Sequence, residues 1–89
     1  MRYSFDPAKA AANIAKHGIA FSVVESFEWE WALVRADVRF DYAEPRMVAL
    51  APVGTRLYSL VFSIERRTLR IISLRKASTK EIRLYEAQV

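Results

Sequence analysis

The stretch Leu57–Ile64, Leu-Tyr-Ser-Leu-Val-Phe-Ser-Ile, is apolar almost throughout. A run of this length suits a central β-strand covered on both faces. Its surroundings agree. Upstream, residues 33–40 (Leu33, Val34, Val38, Phe40) predict a strand with a break near Ala36-Asp37, and residues 46–51 predict another that Pro52 ends. Val53-Gly54-Thr55 is a hairpin turn signal before the apolar run, and Glu65-Arg66-Arg67 is a polar turn after it. Thr68–Leu74 then alternates, with Leu69, Ile71 and Ser73 on one face and Arg70, Ile72 and Leu74 on the other.

Helix signals bracket this meander. Residues 2–6 alternate as a short strand. Asp6-Pro7 follows, with Asp able to cap free N–H groups and Pro tolerated at the first helical position. The alanine-rich Ala8–Lys16 segment favours helix, and His17-Gly18 ends it. Ser22 with Glu25 fits a capping box, which predicts a second helix fraying near Glu30–Ala32. Ser78 with Glu81 fits another, which predicts a final helix through about Ala87. The order is strand, two helices, about four antiparallel strands, then a helix, so the class is α+β.

With 89 residues and no linker or repeat, residues 1–89 form a single domain. A domain this small buries only about 60–65% of its unfolded surface. At 53% apolar, part of its surface is expected to be completed by a partner. Of Trp29 and Trp31, one is expected in the core, and an exposed one would suit a partner interface. The absence of cysteine excludes disulfides, thiolate zinc sites and cysteine nucleophiles. The single histidine, His17, excludes a multi-histidine metal site. No apolar run approaches the ~20 residues of a membrane span, and the N-terminus lacks a signal-peptide stretch. A cytoplasmic location with no membrane association is expected.

Charge divides the chain. Residues 1–45 carry 5 basic and 7 acidic residues, whereas residues 46–89 carry 9 and 3. Basic charge gathered in one half points to a polyanion surface. Arg56, Arg66, Arg67, Arg70, Arg75, Lys76, Lys80 and Arg83 are its constituents. The last helix is expected to aim its capped N-terminus at the same region, where its N–H groups attract anions. Asp37, Asp41 and Glu44 form a weak candidate for a divalent cation, and no cofactor is expected.

RNA can be cleaved without metal by its own 2′-OH. That needs a proton acceptor, cations around the charged phosphorane and a donor for the 5′ leaving oxygen. Arg suits the second task because its planar fork binds phosphate through two hydrogen bonds. By residue type, Lys9, His17, Glu44, Arg46, Arg75 and Tyr85 are candidates for these roles, with Arg66, Arg67, Arg70, Lys76 and Lys80 as RNA contacts. Each has a plainer reading. Lys9 sits three residues after Asp6 as an exposed helix lysine, and His17 complements a helix C-terminus. Arg75 pairs with Glu81 or Glu86, Arg46 with Asp41 or Glu44, and Tyr85 is a core-edge aromatic.

The segment from Asp6 through Lys9, Asn13 and Lys16-His17-Gly18 to Phe21 resembles the opening signature of the BrnT toxins. Further matches are Asp41-Tyr42 with Glu44 and Arg46, then Leu60-Val61-Phe62-Ser63, Arg70-Ile71-Ile72-Ser73, Arg75-Lys76-Ala77, Glu81 and Tyr85-Glu86. They cover nearly the whole chain in the family's order. The resemblance implies a RelE-like fold and metal-independent RNA cleavage. It also implies a BrnA-like antitoxin with a ribbon-helix-helix segment, a hetero-oligomeric complex, and repression of its own operator DNA. The chain departs from the family at Ser63, usually Thr; at Glu65, usually Arg; at Leu74, often Ala; and at Ala43, usually Gly. The Glu65 change raises an alternative, a binding module that has lost catalysis and acts with the antitoxin on operator DNA.

Overall fold

The structure, a computed structural model, describes residues 2–39, 41 and 43–88. Phe40 of the expected strand 33–40 and Tyr42 of the Asp41-Tyr42 match lie outside them. In chain order the elements are β1 (Arg2–Phe5), α1 (Pro7–His17), 3-10 helices at Phe21–Ser26 and Trp29–Trp31, β2 (Leu33–Ala36), β3 (Met47–Val53), β4 (Arg56–Glu65), β5 (Thr68–Lys76) and α2 (Thr79–Gln88). The class is α+β.

The apolar run forms β4, at the centre of a five-stranded sheet ordered β1-β5-β4-β3-β2. Strands β2 to β5 form the expected antiparallel meander. β1 joins β5 in parallel, so the sheet is mixed. Pro52 does not end β3, which continues to Val53. β2 reaches only as far as Leu50, so Pro52 needs no partner for an N–H on that side. Its carbonyl accepts from the Glu28 N–H.

α1 starts and stops as its sequence predicts. The Asp6 carboxylate accepts from the Ala8 N–H at 2.9 Å. Gly18 adopts φ +69° and donates to the Ile14 carbonyl. The expected second α-helix is instead two short 3-10 helices, and the first of these has no side-chain cap. The reason lies in spacing. Phe21, Val24 and Phe27 recur every three residues and are all buried, and a three-residue turn puts such side chains on one side.

One face of the sheet carries the core. Ala49, Ala51, Leu60, Phe62, Leu69, Ile71 and Leu74 pack there against Ile19, Phe21, Val24 and Phe27. Trp29 packs on this core edge-on to Phe62, while Trp31 is 59% exposed. The opposite face holds Leu50 and Ser59, which are cross-strand partners. α2 lies over that end of it, because the Ser59 hydroxyl bonds Glu81 at 3.2 Å.

A β-bulge at Ile72 corrects the expected alternation of β5. Val61 pairs with Ser73 but Phe62 pairs with Ile71, leaving Ile72 as the extra residue. The bulge moves Leu74 to the core face with Leu69 and Ile71, and moves Ser73 and Arg75 to the opposite, open face with Arg70. Without it, Arg75 would share the face of Ile71 and point into the core.

Candidate phosphate-binding hollow

Past residue 71, β5 has no β1 partner, and α1 takes that place. The buried Asn13 amide donates to the carbonyls of Leu74 at 2.8 Å and Ile19 at 2.9 Å, and accepts from the Leu74 N–H at 3.0 Å. A side-chain amide thus reproduces both halves of a backbone ladder step. On a helix, residues 9, 13, 16 and 17 share one face. Docking Asn13 therefore brings Lys9, Lys16 and His17 to the edge of β5.

There they line a hollow of about 340 Å³ together with Arg39, Ser73 and Arg75. Among the described residues, no carboxylate side chain belongs to its lining. Arg39 and Arg75 also line an adjoining hollow of about 270 Å³ with Arg35, Asp37 and Glu81. Each of these two arginines is held by an acid on that far side. The Arg39 Nε and Nη2 donate to the two oxygens of Asp37, both at 2.9 Å. The Arg75 Nη1 and Nη2 donate to Glu81 at 2.6 and 3.0 Å.

Glu81 anchors several elements at once. Its carboxylate accepts from the Ser78 N–H at 2.8 Å, and the Ser78 hydroxyl accepts from the Glu81 N–H at 3.2 Å. The expected capping box is thereby complete. Burial alone would push the Glu81 carboxyl up. The hydrogen bonds and charge of Arg75, with the bonds from Ser78, outweigh it and lower it to about 2. The same carboxylate sits at the start of α2, where it takes the Ser78 N–H, and so puts a negative charge beside the helix N-terminus that the sequence suggested would attract anions.

Of the residues expected at the site, the structure brings together Lys9, His17 and Arg75. Arg46 is half-buried, with its carbonyl accepting from the Asp37 N–H, and it lines neither hollow. Glu44 is exposed in the β2–β3 connection, outside both. Tyr85 is turned to another task, its hydroxyl donating to the Trp31 carbonyl at 2.6 Å. Lys76 pairs with Tyr58 and so takes the core side of the sheet rather than the side of Arg75. Lys80 is exposed on α2, away from the hollow. Arg70 lies on the open face, paired with Ser63, and Arg66 and Arg67 form the β4–β5 turn.

Sequence reasoning missed Lys16, Arg39 and Ser73. Lys16 was accessible from its three-residue spacing to Asn13. Ser73 was hidden by the bulge, and Arg39 follows a strand too short to set its direction. Among the described residues, no three His, Cys, Asp or Glu side chains gather as a metal site. Nor, among them, is any helix long and apolar enough to cross a membrane.

A family model described as ribonuclease toxin, BrnT, of type II toxin-antitoxin system matches residues 5–81. No curated protein matches the chain.

Proposed function

The chain belongs to the BrnT family of ribonuclease toxins of type II toxin-antitoxin systems, and on that premise we propose that it cleaves RNA in the hollow between α1 and β5 without a metal ion. The observation that carries this reading is the meeting of Lys9, His17 and Arg75 around one space that, among the described residues, no carboxylate side chain lines.

The scissile phosphate lies against Arg75, with Lys9 and Lys16 beside it. A guanidinium has five N–H donors. Three are engaged with Glu81 and the Lys76 carbonyl, which fixes the plane of the group and leaves two for phosphate oxygens. The substrate's 2′-OH gives up its proton as its oxygen bonds phosphorus. The P–O5′ bond breaks, and the leaving oxygen takes a proton. The products are a 2′,3′-cyclic phosphate and a 5′-OH. His17 and Lys9 move these protons, since imidazole serves as acceptor or donor near neutral pH. The cations steady the extra charge of the phosphorane.

RNA cleavage in EDTA by wild-type protein and by Arg75→Ala tests this. Wild type is expected to cleave and the variant to lose about 100-fold or more. Cleavage that vanishes in EDTA defeats the metal-free mechanism, and equal rates remove Arg75 from the site.

The partner in this reading is a BrnA-like antitoxin whose ribbon-helix-helix segment carries the complex to operator DNA. The closed Arg75–Glu81 pair, together with Glu65, favours one second reading. In it the chain is a catalytically weakened module that holds the antitoxin and strengthens its grip on the operator. Expression without the antitoxin separates the two, because a pure binding module leaves growth unchanged.

A further inference from the structure

The β4–β5 turn is built against its own backbone preference. Arg66 and Arg67 have φ of +57° and +102°, the pattern of a type I′ hairpin turn. Such turns favour Asn-Gly or Asp-Gly, because both central residues need positive φ. This chain puts two arginines there instead. With Arg2 and Thr68 they border an open hollow of about 640 Å³. Arg2 is tied to the turn by its N–H, which donates to the Arg67 carbonyl at 3.3 Å. None of the three arginines forms an ion pair with a described residue.

Sheet register connects this cluster to the α1–β5 hollow. Arg2 pairs with Thr68 and Ser4 with Arg70, which puts Arg2 and Arg70 on the same open face as Arg75. Cations therefore follow β5 from the hollow to the turn. From Arg75 to Arg67 is eight residues of strand, about 25 Å. That is beyond the Debye length of about 8 Å at physiological ionic strength, so the charges of the turn are screened from those of the hollow.

We propose that Arg2, Arg66 and Arg67 form an exosite for the phosphate backbone of single-stranded RNA whose scissile bond lies in the α1–β5 hollow. The inference rests on the RNA reading above and adds a second point of grip to it. The backbone strain is retained because relaxed turn residues carry no charge to the phosphates.

Arg66→Asn with Arg67→Gly gives the turn the residues its geometry favours. The double variant is expected to melt a few degrees higher than wild type, and so to be folded. A long single-stranded RNA with 2′-O-methyl groups cannot be cleaved and serves as the probe. The variant is expected to bind it several-fold more weakly. The dependence of log affinity on log salt should become shallower by about 0.7 for each phosphate that is no longer neutralised. Binding of an uncleavable dinucleotide, which reaches only the hollow, should be unchanged. Arg2→Ala, which leaves the turn intact, should weaken the long RNA in the same sense.

Equal affinity and slope for the long RNA overturn the exosite. So does an equal loss for the dinucleotide, or a loss confined to duplex DNA. If wild type fails to cleave RNA while the long-probe effect holds, the cleavage reading and the exosite role fall together, and the turn is left as a site for the RNA backbone alone. If wild type cleaves and the variants bind like wild type, the exosite alone falls.

Discussion

Replacing Asn13 with alanine removes the amide that pairs with Leu74 and Ile19. One buried N–H and two carbonyls then lose their partner. At about 1–3 kcal/mol for a buried group left unsatisfied, with some relaxation, the expected loss is about 2–4 kcal/mol in urea unfolding. That is a large share of the 5–15 kcal/mol typical of whole domains. The same change loosens Lys9 and His17 from β5, so cleavage should fall further than stability alone explains. The sequence marked the positions of Lys9, Asn13 and His17, and helical spacing is enough to place them together. It did not reveal that Asn13 would reach a backbone 61 residues away, because that partner exists only once the sheet is formed. Arg75 had two readings in sequence, phosphate contact and ion pair with Glu81 or Glu86. The geometry contains the ion pair and still leaves two of the five guanidinium donors without a bond to a described residue.

At the scale of elements, the α2 N-terminus and the end of β5 are joined through Glu81. Its carboxyl is lowered from 4.5 to about 2 in the fold. A depressed acid contributes stability that is complete above the unfolded value and is lost as pH falls toward the folded one. Wild type should therefore lose stability between about pH 4.5 and 2, beyond the loss shown by Glu81→Gln over the same range. The variant should be less stable near neutral pH by about 1–2 kcal/mol. Thermal melts of both proteins across pH measure the difference, and parallel curves would remove Glu81 as the anchor. Both capping boxes looked alike in sequence, yet only Ser78–Glu81 forms. Ser22–Glu25 fails because the three-residue spacing of Phe21, Val24 and Phe27 draws the segment into a tighter helix against the core. The bulge at Ile72 left a trace, since the apolar positions shift from Leu69 and Ile71 to Leu74. Strict alternation could not accommodate that shift and assigned Arg75's neighbours to the wrong faces. The β4–β5 turn was legible as a polar turn at Glu65-Arg66-Arg67, but its strain was not, because two arginines are not a signal for positive φ. They cost on the order of 1 kcal/mol or more each there.

For the molecule as a whole, the apolar run at Leu57–Ile64 was enough to place a central strand, and the meander around it followed. The parallel attachment of β1 to β5 was not legible, because a four-residue strand carries no mark of direction. Of the basic second half, Arg75 enters one cation cluster and Arg66 and Arg67 enter the other. The first half, acidic in sum, contributed Lys9, Lys16 and Arg39 to one and Arg2 to the other. Half-chain charge thus located the polyanion surface only in part, since folding mixes the two halves. The chain's one histidine allows the central claim to be tested without mutation. Its ring signals in a proton NMR spectrum are unique and can be followed while an uncleavable dinucleotide is added. Occupancy of the α1–β5 hollow predicts that the His17 ring signals shift to saturation, together with the amides of Ser73 and Arg75. Unmoved His17 signals at saturating dinucleotide, with shifts confined to the Arg66-Arg67 turn or elsewhere, would contradict it.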